Sequence, residues 1–308
     1  MLLHIKTLQY CILFWMLAVC NTVWGQAKKA TIPFELTSFN NMSIKAVLNR
    51  TDTIRLMFHT GAMDLTLTEE AVKKLKSLDF DQTISGIKSW GGTSGEARVS
   101  QNNLLAIDKL QWDSLTITEN KHSGQFTDGK FGLDLFKDKF VEIDFEKQIL
   151  NITARPPKTL KRFEKHTLSY ENGLMFIEAS CGIEQGSNAM ANQFLIHSGY
   201  AGGLLLDDEF TSSNKLGEKL KTTEQKELKD SYGNVMKTNK AILPIFKIGS
   251  FVLPNVSVGF FEGAIGRQKI SVMGGDILKR FNWVIDAKRE FIYLKPNANY
   301  NLPMANFF

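Results

Sequence analysis

One sequence pattern occurs twice in this chain, and the repeat limits the folds that the chain can adopt. Each copy has a hydrophobic run, a histidine, a hydroxyl residue and a glycine, in FHTGA (58–62) and in IHSGY (196–200). Each copy continues through a helix-like segment, a glycine-containing hairpin signal and alternating strands to a closing glycine segment, at Gly132 and Gly274. A repeat of this length predicts two similar lobes rather than a solenoid of short period.

Alternating apolar and polar residues predict strands around the first histidine turn. Examples are Ser43 to Leu48 and Ile54 to Phe58. Helical signals are few: Thr68 is placed to cap a short helix that carries Glu69 and Glu70 in its first turn. The chain is therefore predicted to be mainly β, with one or two short helices in each lobe.

The main break in the repeat is a stiff connector around Pro156 and Pro157. It divides the chain into predicted lobes at 26–155 and 156–308. A hydrophobic content of 43% and a charged content of 22% are ordinary for globular proteins, so we expect a sizeable core in this chain.

Residues 1–25 have the layout of a secretory signal peptide. Lys6 gives a weakly basic start, an apolar run follows from 10 to 19, and cleavage is expected after Gly25. The apolar run is too short to span a bilayer comfortably, so no transmembrane segment is predicted. We expect an exported protein, periplasmic or extracellular, and the alternative is a lipid anchor through Cys20.

Cysteine usage and charge exclude several function classes. Cleavage of the leader leaves Cys181 as the one cysteine, which we expect to be a half-buried strand residue rather than a nucleophile. The formal net charge of +5 is spread along the chain, and the charge-rich stretch 215–229 mixes both signs. This pattern predicts a solvated face and no nucleic-acid partner.

The repeated motifs resemble those of the aspartic peptidases, in particular exported bacterial members with two retropepsin-like lobes. FHTGA stands where that family has Asp-Thr-Gly-Ala, and IHSGY stands where it has Asp-Ser/Thr-Gly. KFGLDLF and VMGGDIL match its hydrophobic-hydrophobic-glycine elements, the first loosely because Lys130 precedes Phe131. The resemblance covers nearly all of residues 35–296.

The resemblance implies an all-β, bilobal aspartic-peptidase fold with pseudo-twofold symmetry and a cleft between the lobes. SWGGTSG resembles the flap hairpin that closes over substrate, so we expect a flap at residues 86–98. Trp90, near the place of the usual aromatic residue, and Gly91 and Gly92 are therefore candidate substrate-binding residues.

Both catalytic positions that the resemblance implies hold histidine, at His59 and His197. In the family two aspartates share one proton, because two negative charges so close together cannot both persist. An imidazole has one acceptor nitrogen when neutral and none when protonated, so this pair cannot reproduce that chemistry. The residues that follow each histidine match the family: Thr60 and Gly61 in the first turn, Ser198 and Gly199 in the second. The resemblance implies that the hydroxyl residues, Thr60 and Ser198, link the two lobes.

Three hypotheses follow for the two histidines. The leading one is a pseudoenzyme that binds an extended peptide or polymer in the cleft without aspartic proteolysis. The second is an active hydrolase in which one neutral imidazole acts as base and a protonated partner stabilises an oxyanion. The third is a metal site, although catalytic zinc usually takes three protein ligands. We predict no cofactor and no metal, and we expect His122 and His166 to be exposed in polar loop or linker sequence.

Three aspartates near the motifs are not expected to replace the missing acids. Asp144 and Asp286 lie in strand-turn sequence, where the resemblance implies a structural acid. Asp64 follows the first histidine turn and is expected to point outward along it.

Overall fold

The computed structural model describes residues 29–305, apart from positions 87, 90–91, 94–95, 123, 185–188, 230–234 and 262–267. The predicted leader at 1–25 and the candidate flap residues Trp90 and Gly91 lie outside the described residues. Strands dominate the described part of the chain, as the alternating sequence predicts.

The strands of the first half are β1 (Lys29–Pro33), β2 (Glu35–Leu36), β3 (Met42–Leu48), β4 (Asp52–Phe58), β5 (Leu65–Thr68), β6 (Gln82–Ile84), β7 (Lys88–Ser89), β8 (Gly92–Thr93), β9 (Ala97–Ile107), β10 (Leu110–Asn120), β11 (Gly129–Phe131), β12 (Phe140–Asp144) and β13 (Ile149–Thr153). Those of the second half are β14 (Glu164–Glu171), β15 (Leu174–Gly182), β16 (Met190–Ile196), β17 (Leu204–Leu205), β18 (Thr222–Lys229), β19 (Val235–Ile248), β20 (Phe251–Phe260), β21 (Ser271–Met273), β22 (Phe281–Ile285) and β23 (Phe291–Pro296).

The helices are short. They are α1 (Glu69–Val72), α2 (Asp208–Ser213), α3 (Leu216–Lys219) and α4 (Gly275–Leu278), with 3-10 turns at Leu133–Phe136 and Lys158–Arg162. The predicted cap of α1 is confirmed, because the Thr68 hydroxyl accepts a hydrogen bond from the Ala71 amide at 3.1 Å. Among the described residues, no helix has the length and apolar character needed to cross a membrane.

Each half of the chain closes into a barrel-like lobe. In the first lobe the strand order is β2-β3-β4-β11-β5-β10-β9-β6, and β3 also pairs with β9. In the second lobe the order is β15-β16-β21-β17-β20-β19-β18, and β15 also pairs with β19. The repeat in the sequence therefore corresponds to a repeat in strand order.

A further set of strands joins the lobes, in the order β1-β13-β12-β22-β23-β14. At its centre Glu142 pairs with Val284, while Val141 pairs with Ile285 and Ile143 with Trp283. Glu142 and Val284 are each other's counterparts when Gly132 is aligned with Gly274. The pseudo-twofold axis therefore passes between these two strands.

The apolar faces of the sheets pack into one extended core. Phe58 and Phe131, from neighbouring strands β4 and β11, are fully buried in it. Cys181 is also fully buried, rather than half-buried as expected, because its position in β15 faces this core. Burial raises the pKa of its thiol to about 12, which fits a structural residue and not a nucleophile.

Candidate functional site

The two histidine turns follow strands β4 and β16 and have matching backbone hydrogen bonds. The His59 amide donates to the Phe131 carbonyl at 2.9 Å, and the His197 amide donates to the Met273 carbonyl at 3.0 Å. Phe131 and Met273 end β11 and β21, each of which lies parallel to the strand that leads into the turn. The parallel neighbours thus fix both turns in the same conformation.

The imidazoles of His59 and His197 meet across the axis. Their ring centroids are 4.6 Å apart and their planes are inclined by 72°. His59 is 8% exposed and His197 is half-buried. The glycines of the turns leave space for the rings: the His59 ring lies against Gly199, and the His197 ring lies against Gly61, so neither position has room for a Cβ without a shift.

Four hydrogen bonds hold the two turns together. The Thr60 amide donates to the Ser198 hydroxyl and the Ser198 amide donates to the Thr60 hydroxyl, both at 3.0 Å. The Thr60 hydroxyl in turn donates to the Ile196 carbonyl at 2.6 Å, and the Ser198 hydroxyl donates to the Phe58 carbonyl at 2.9 Å. The structure therefore brings the predicted lobe-linking residues together in a reciprocal network.

Two asparagines add contacts between the lobes that the sequence did not predict. The Asn41 amide donates to the Ser198 carbonyl at 3.0 Å, and the Asn40 amide donates to the Ala201 carbonyl at 3.3 Å. Both lie just before β3, outside the repeated motifs, so no local pattern marks them.

The hydrogen bonds of the two imidazoles differ. The Gly61 amide donates to His59 Nδ1 at 3.1 Å, so a neutral His59 carries its proton on Nε2. His197 Nδ1 is buried and has no hydrogen-bond partner among the described residues. The pair is therefore symmetric in position but not in bonding.

Both imidazoles are held in the neutral state. Burial lowers the pKa of His59 well below its usual value, and electrostatic repulsion by His197, when that ring is protonated, and by Lys130 lowers it further. Burial, with the charge of Lys130, lowers the pKa of His197 to about 4. At neutral pH the site therefore holds two uncharged rings where a dyad of acids would carry a negative charge.

Lys130 is a site residue that the sequence reasoning noted only as a mismatch in the glycine element. It lies in β11 opposite Met57 and is half-buried. Burial lowers the pKa of its ammonium group. Lys130 could have been identified from the sequence, because it is a charged residue at a position where the aspartic peptidases have a hydrophobic one.

The candidate flap is described in part. Ser89 of β7 pairs with Gly92 of β8, so a short hairpin forms within the expected flap segment. Of the three candidate residues, Gly92 lies in this hairpin, while Trp90 and Gly91 lie outside the described residues.

The other acids serve turns, as predicted. Asp144 accepts hydrogen bonds from the amides of Glu146 and Lys147, and Asp286 accepts from the Lys288 and Phe291 amides. Asp64 is exposed. Asp144 and Asp286 thus bind backbone amides, as structural acids would, and Asp64 points toward solvent.

The expectation for His166 is wrong, whereas His122 is exposed as expected. His166 lies within β14, its side chain is 10% exposed, and its Nε2 is 3.5 Å from Glu164 Oε1. The Phe251 ring, with its centroid 6.1 Å from that of His166, and Gly249 lie against this side chain, which the polar sequence around it did not indicate. In the described ranges no three His, Cys, Asp or Glu side chains come close enough to hold a metal ion together.

Comparisons with known proteins bear on the fold. No family model and no curated protein matches this sequence. The structure is similar to that of an aspartic proteinase from Irpex lacteus, with a TM-score of 0.60 and 11% sequence identity, over 90% of this chain and 100% of that one. The chain therefore has the all-β, bilobal aspartic-peptidase fold.

Proposed function

We propose that this protein binds an extended peptide, or a similar polymer, in the cleft between its lobes and does not hydrolyse it by the aspartic mechanism. The observation that carries the proposal is a contrast at the two turns. The lobe-linking hydrogen bonds of Thr60 and Ser198 are present, while both acid positions hold imidazoles kept neutral by burial.

The aspartic mechanism needs a carboxylate that takes a proton from water and a carboxylic acid that donates a hydrogen bond to the scissile carbonyl. Two neutral imidazoles with centroids 4.6 Å apart cannot carry the shared negative charge of such a pair. The nearby charge is instead the positive one of Lys130, which lowers the pKa of both rings. The site therefore differs from an acid dyad in the sign of its nearby charge as well as in residue type.

Binding of an extended chain fits the architecture around this site. The short β7–β8 hairpin belongs to the expected flap segment and would offer backbone groups to a strand-like ligand. Main-chain hydrogen bonds of this kind supply affinity, and side-chain pockets supply selectivity.

The competing function is a hydrolase that uses His59 as base and a protonated His197 to stabilise an oxyanion, or the reverse. Its support is that the same residue occupies both symmetric positions. Against it, burial lowers the pKa of both imidazoles, so neither is protonated at neutral pH. The oxyanion would then receive at most a neutral N–H donor.

The experiment is to incubate the mature protein with a diverse peptide library from acidic to neutral pH, with and without metal ions, and to measure retention and cleavage by mass spectrometry. We expect peptides to be retained and not cut. Cleavage that His59→Ala abolishes and His122→Ala leaves intact would overturn the proposal in favour of the hydrolase. His122 is the matched control because its side chain is exposed.

We also propose that the protein is exported. The support is the signal-peptide layout of residues 1–25. N-terminal sequencing of the protein purified from its source should begin at Gln26. A start at a lipid-modified Cys20 would indicate the anchored alternative, and an intact Met1 would contradict export.

A further inference from the structure

We propose that the cleft selects peptides that place a carboxylate beside Lys130 in the first lobe and an apolar side chain against the second lobe. The inference rests on the proposed function, because it names the class of peptide that the same cleft would take.

Strand register places Lys130 beside the first histidine. Lys130 is directly opposite Met57 in the parallel pair β4–β11, and Phe131 is opposite Phe58. Successive residues of a strand point to opposite faces, so Lys130 and Met57 lie on the face opposite to Phe58 and Phe131. On that face Met57 is also buried and Lys130 is half-buried. Met57 is two residues before His59, and the charge of Lys130 acts on both imidazoles.

On this face of the first lobe, Met57 and Lys130 lie side by side on neighbouring strands, and the next residue across the sheet in each direction is polar. Cross-strand partners place Ser43 next to Met57 and Thr66 next to Lys130. The Thr118 hydroxyl continues the row and donates to the Thr66 hydroxyl at 3.3 Å. This face therefore carries hydroxyl groups on either side of one ammonium group, and those of Ser43 and Thr66 are buried.

The corresponding row of the second lobe is apolar. Val272 stands where the repeat has Lys130, and its partners Leu195 and Leu205 stand in the places of Met57 and Thr66. These three form a separate apolar cluster with Phe261, against which Phe176 and Tyr200 pack. Leu195, Leu205 and Val272 are themselves buried, and the partly buried Phe176 and Tyr200 pack against them, so the second lobe is apolar where the first is polar.

The ammonium group of Lys130 lacks a counter-ion in the described part of the chain. Burial is the one cause that shifts its pKa, and no carboxylate contributes. The neighbouring imidazoles are neutral, so they do not compensate the charge either. A half-buried cation without a partner gains from a ligand that brings a carboxylate to it, and hydrogen bonds to charged groups are among the stronger ones.

The test compares two libraries of short, labelled peptides that are acetylated at the N-terminus and amidated at the C-terminus. One library has Glu-Leu fixed at its centre and the other has Gln-Leu, and all other positions are random. Fluorescence polarisation with the wild-type protein should show that the Glu-Leu library binds about tenfold more tightly, the ratio expected from one charge-assisted hydrogen bond. A third library, Gln-Leu with a free C-terminus, separates a side-chain carboxylate from a terminal one. Tighter binding of that library alone would overturn selection of a side-chain carboxylate within the chain.

Variants of Lys130 test whether this residue causes the preference for the Glu-Leu library. Lys130→Leu should bind the Glu-Leu and Gln-Leu libraries equally, and Lys130→Arg should keep the preference. An apolar side chain already occupies the matching position in the second lobe, at Val272, so the leucine variant is expected to fold. Lys109→Leu, in the exposed turn between β9 and β10, is the control for lost charge and should leave the preference unchanged.

The outcomes distinguish this inference from the function on which it rests. Peptide binding that is equally tight for both libraries, or a preference that survives Lys130→Leu, would overturn the selectivity while leaving the proposed function intact. Absence of binding by every library would overturn both.

Discussion

At the scale of single residues, the site is defined by its charge. Two imidazoles occupy the positions at which the resemblance implies acids; burial keeps both rings neutral, and the nearby Lys130 lowers their pKa further. Each of these three residues is visible in the sequence. Their combined effect is not, because it depends on burial and on the register between β4 and β11.

The neutral histidines make folding stability depend on pH. Their pKa values are lower in the folded chain than in the unfolded chain, so the unfolded state binds more protons below about 6.5, and stability falls as pH decreases toward about 4. Because one pKa unit corresponds to about 1.4 kcal/mol, His197 alone should account for roughly 3 kcal/mol across that window. Urea unfolding of wild type at a series of pH values measures this loss.

The matched variant is His59→Gln with His197→Gln, which should show a much flatter pH profile. Some slope should remain, because burial also lowers the pKa of His166 and raises the pKa of Asp134 to about 6, and these two shifts act on stability in opposite directions. The control His122→Gln removes an exposed histidine and should leave the wild-type profile in place. An unchanged slope in the double variant would show that the two rings are not the buried neutral groups described here.

The close approach of His59 to Gly199 gives a second prediction at this scale. A Cβ at Gly199 would overlap the His59 ring, so Gly199→Ala should cost about 1–3 kcal/mol in the free energy of unfolding. Gly217→Ala is the control, because Gly217 lies in α3 with only the edge of Phe260 nearby, at 3.8 Å from an added Cβ. Thermal or urea unfolding should separate the two variants, and equal stability would contradict the ring placement.

At the scale of elements, the strand-to-turn segments of the two lobes act as one unit. The Thr60 hydroxyl accepts from the Ser198 amide and donates to the Ile196 carbonyl, and all of these groups are buried. Thr60→Val would leave two buried backbone groups unpaired. Each such group costs about 1–3 kcal/mol, so the variant should lose several kcal/mol of stability.

The control for Thr60→Val is Thr51→Val, whose exposed hydroxyl bonds to the nearby Asn49 carbonyl within one turn. Urea unfolding should show little change for this variant. If Thr60→Val were equally mild, the hydrogen bonds between the lobes would not be a main source of stability at the site.

Elements whose signals are local could be predicted from the sequence. The cap at Thr68 and the strands leading into the first histidine turn follow from residue type and alternation. Pairing between distant segments could not be predicted in this way. β1 pairs with β13 at the other end of the first half, and β14, which carries His166, pairs with β23. No local pattern specifies such partners, because they are set by how the lobes join.

At the scale of the whole molecule, the repeat in the sequence predicts the architecture. It corresponds to two barrel-like lobes, related by an axis that passes between Glu142 and Val284. The sequence did not reveal that the two walls of the cleft differ. The alignment of Gly132 with Gly274 already places Lys130 at the position of Val272, but strand register is needed to show which neighbours surround each of them.

The central claim is that the cleft keeps the geometry of a peptide-binding site and that the chemistry at its two acid positions has changed. The most direct test is one mass-spectrometric measurement of peptide cleavage by His59→Asp/His197→Asp beside wild type, from acidic to neutral pH. We predict that the double variant cleaves peptides at acidic pH and that wild type retains them uncut. Cleavage by wild type, or a double variant that neither binds nor cleaves peptides, would contradict the claim.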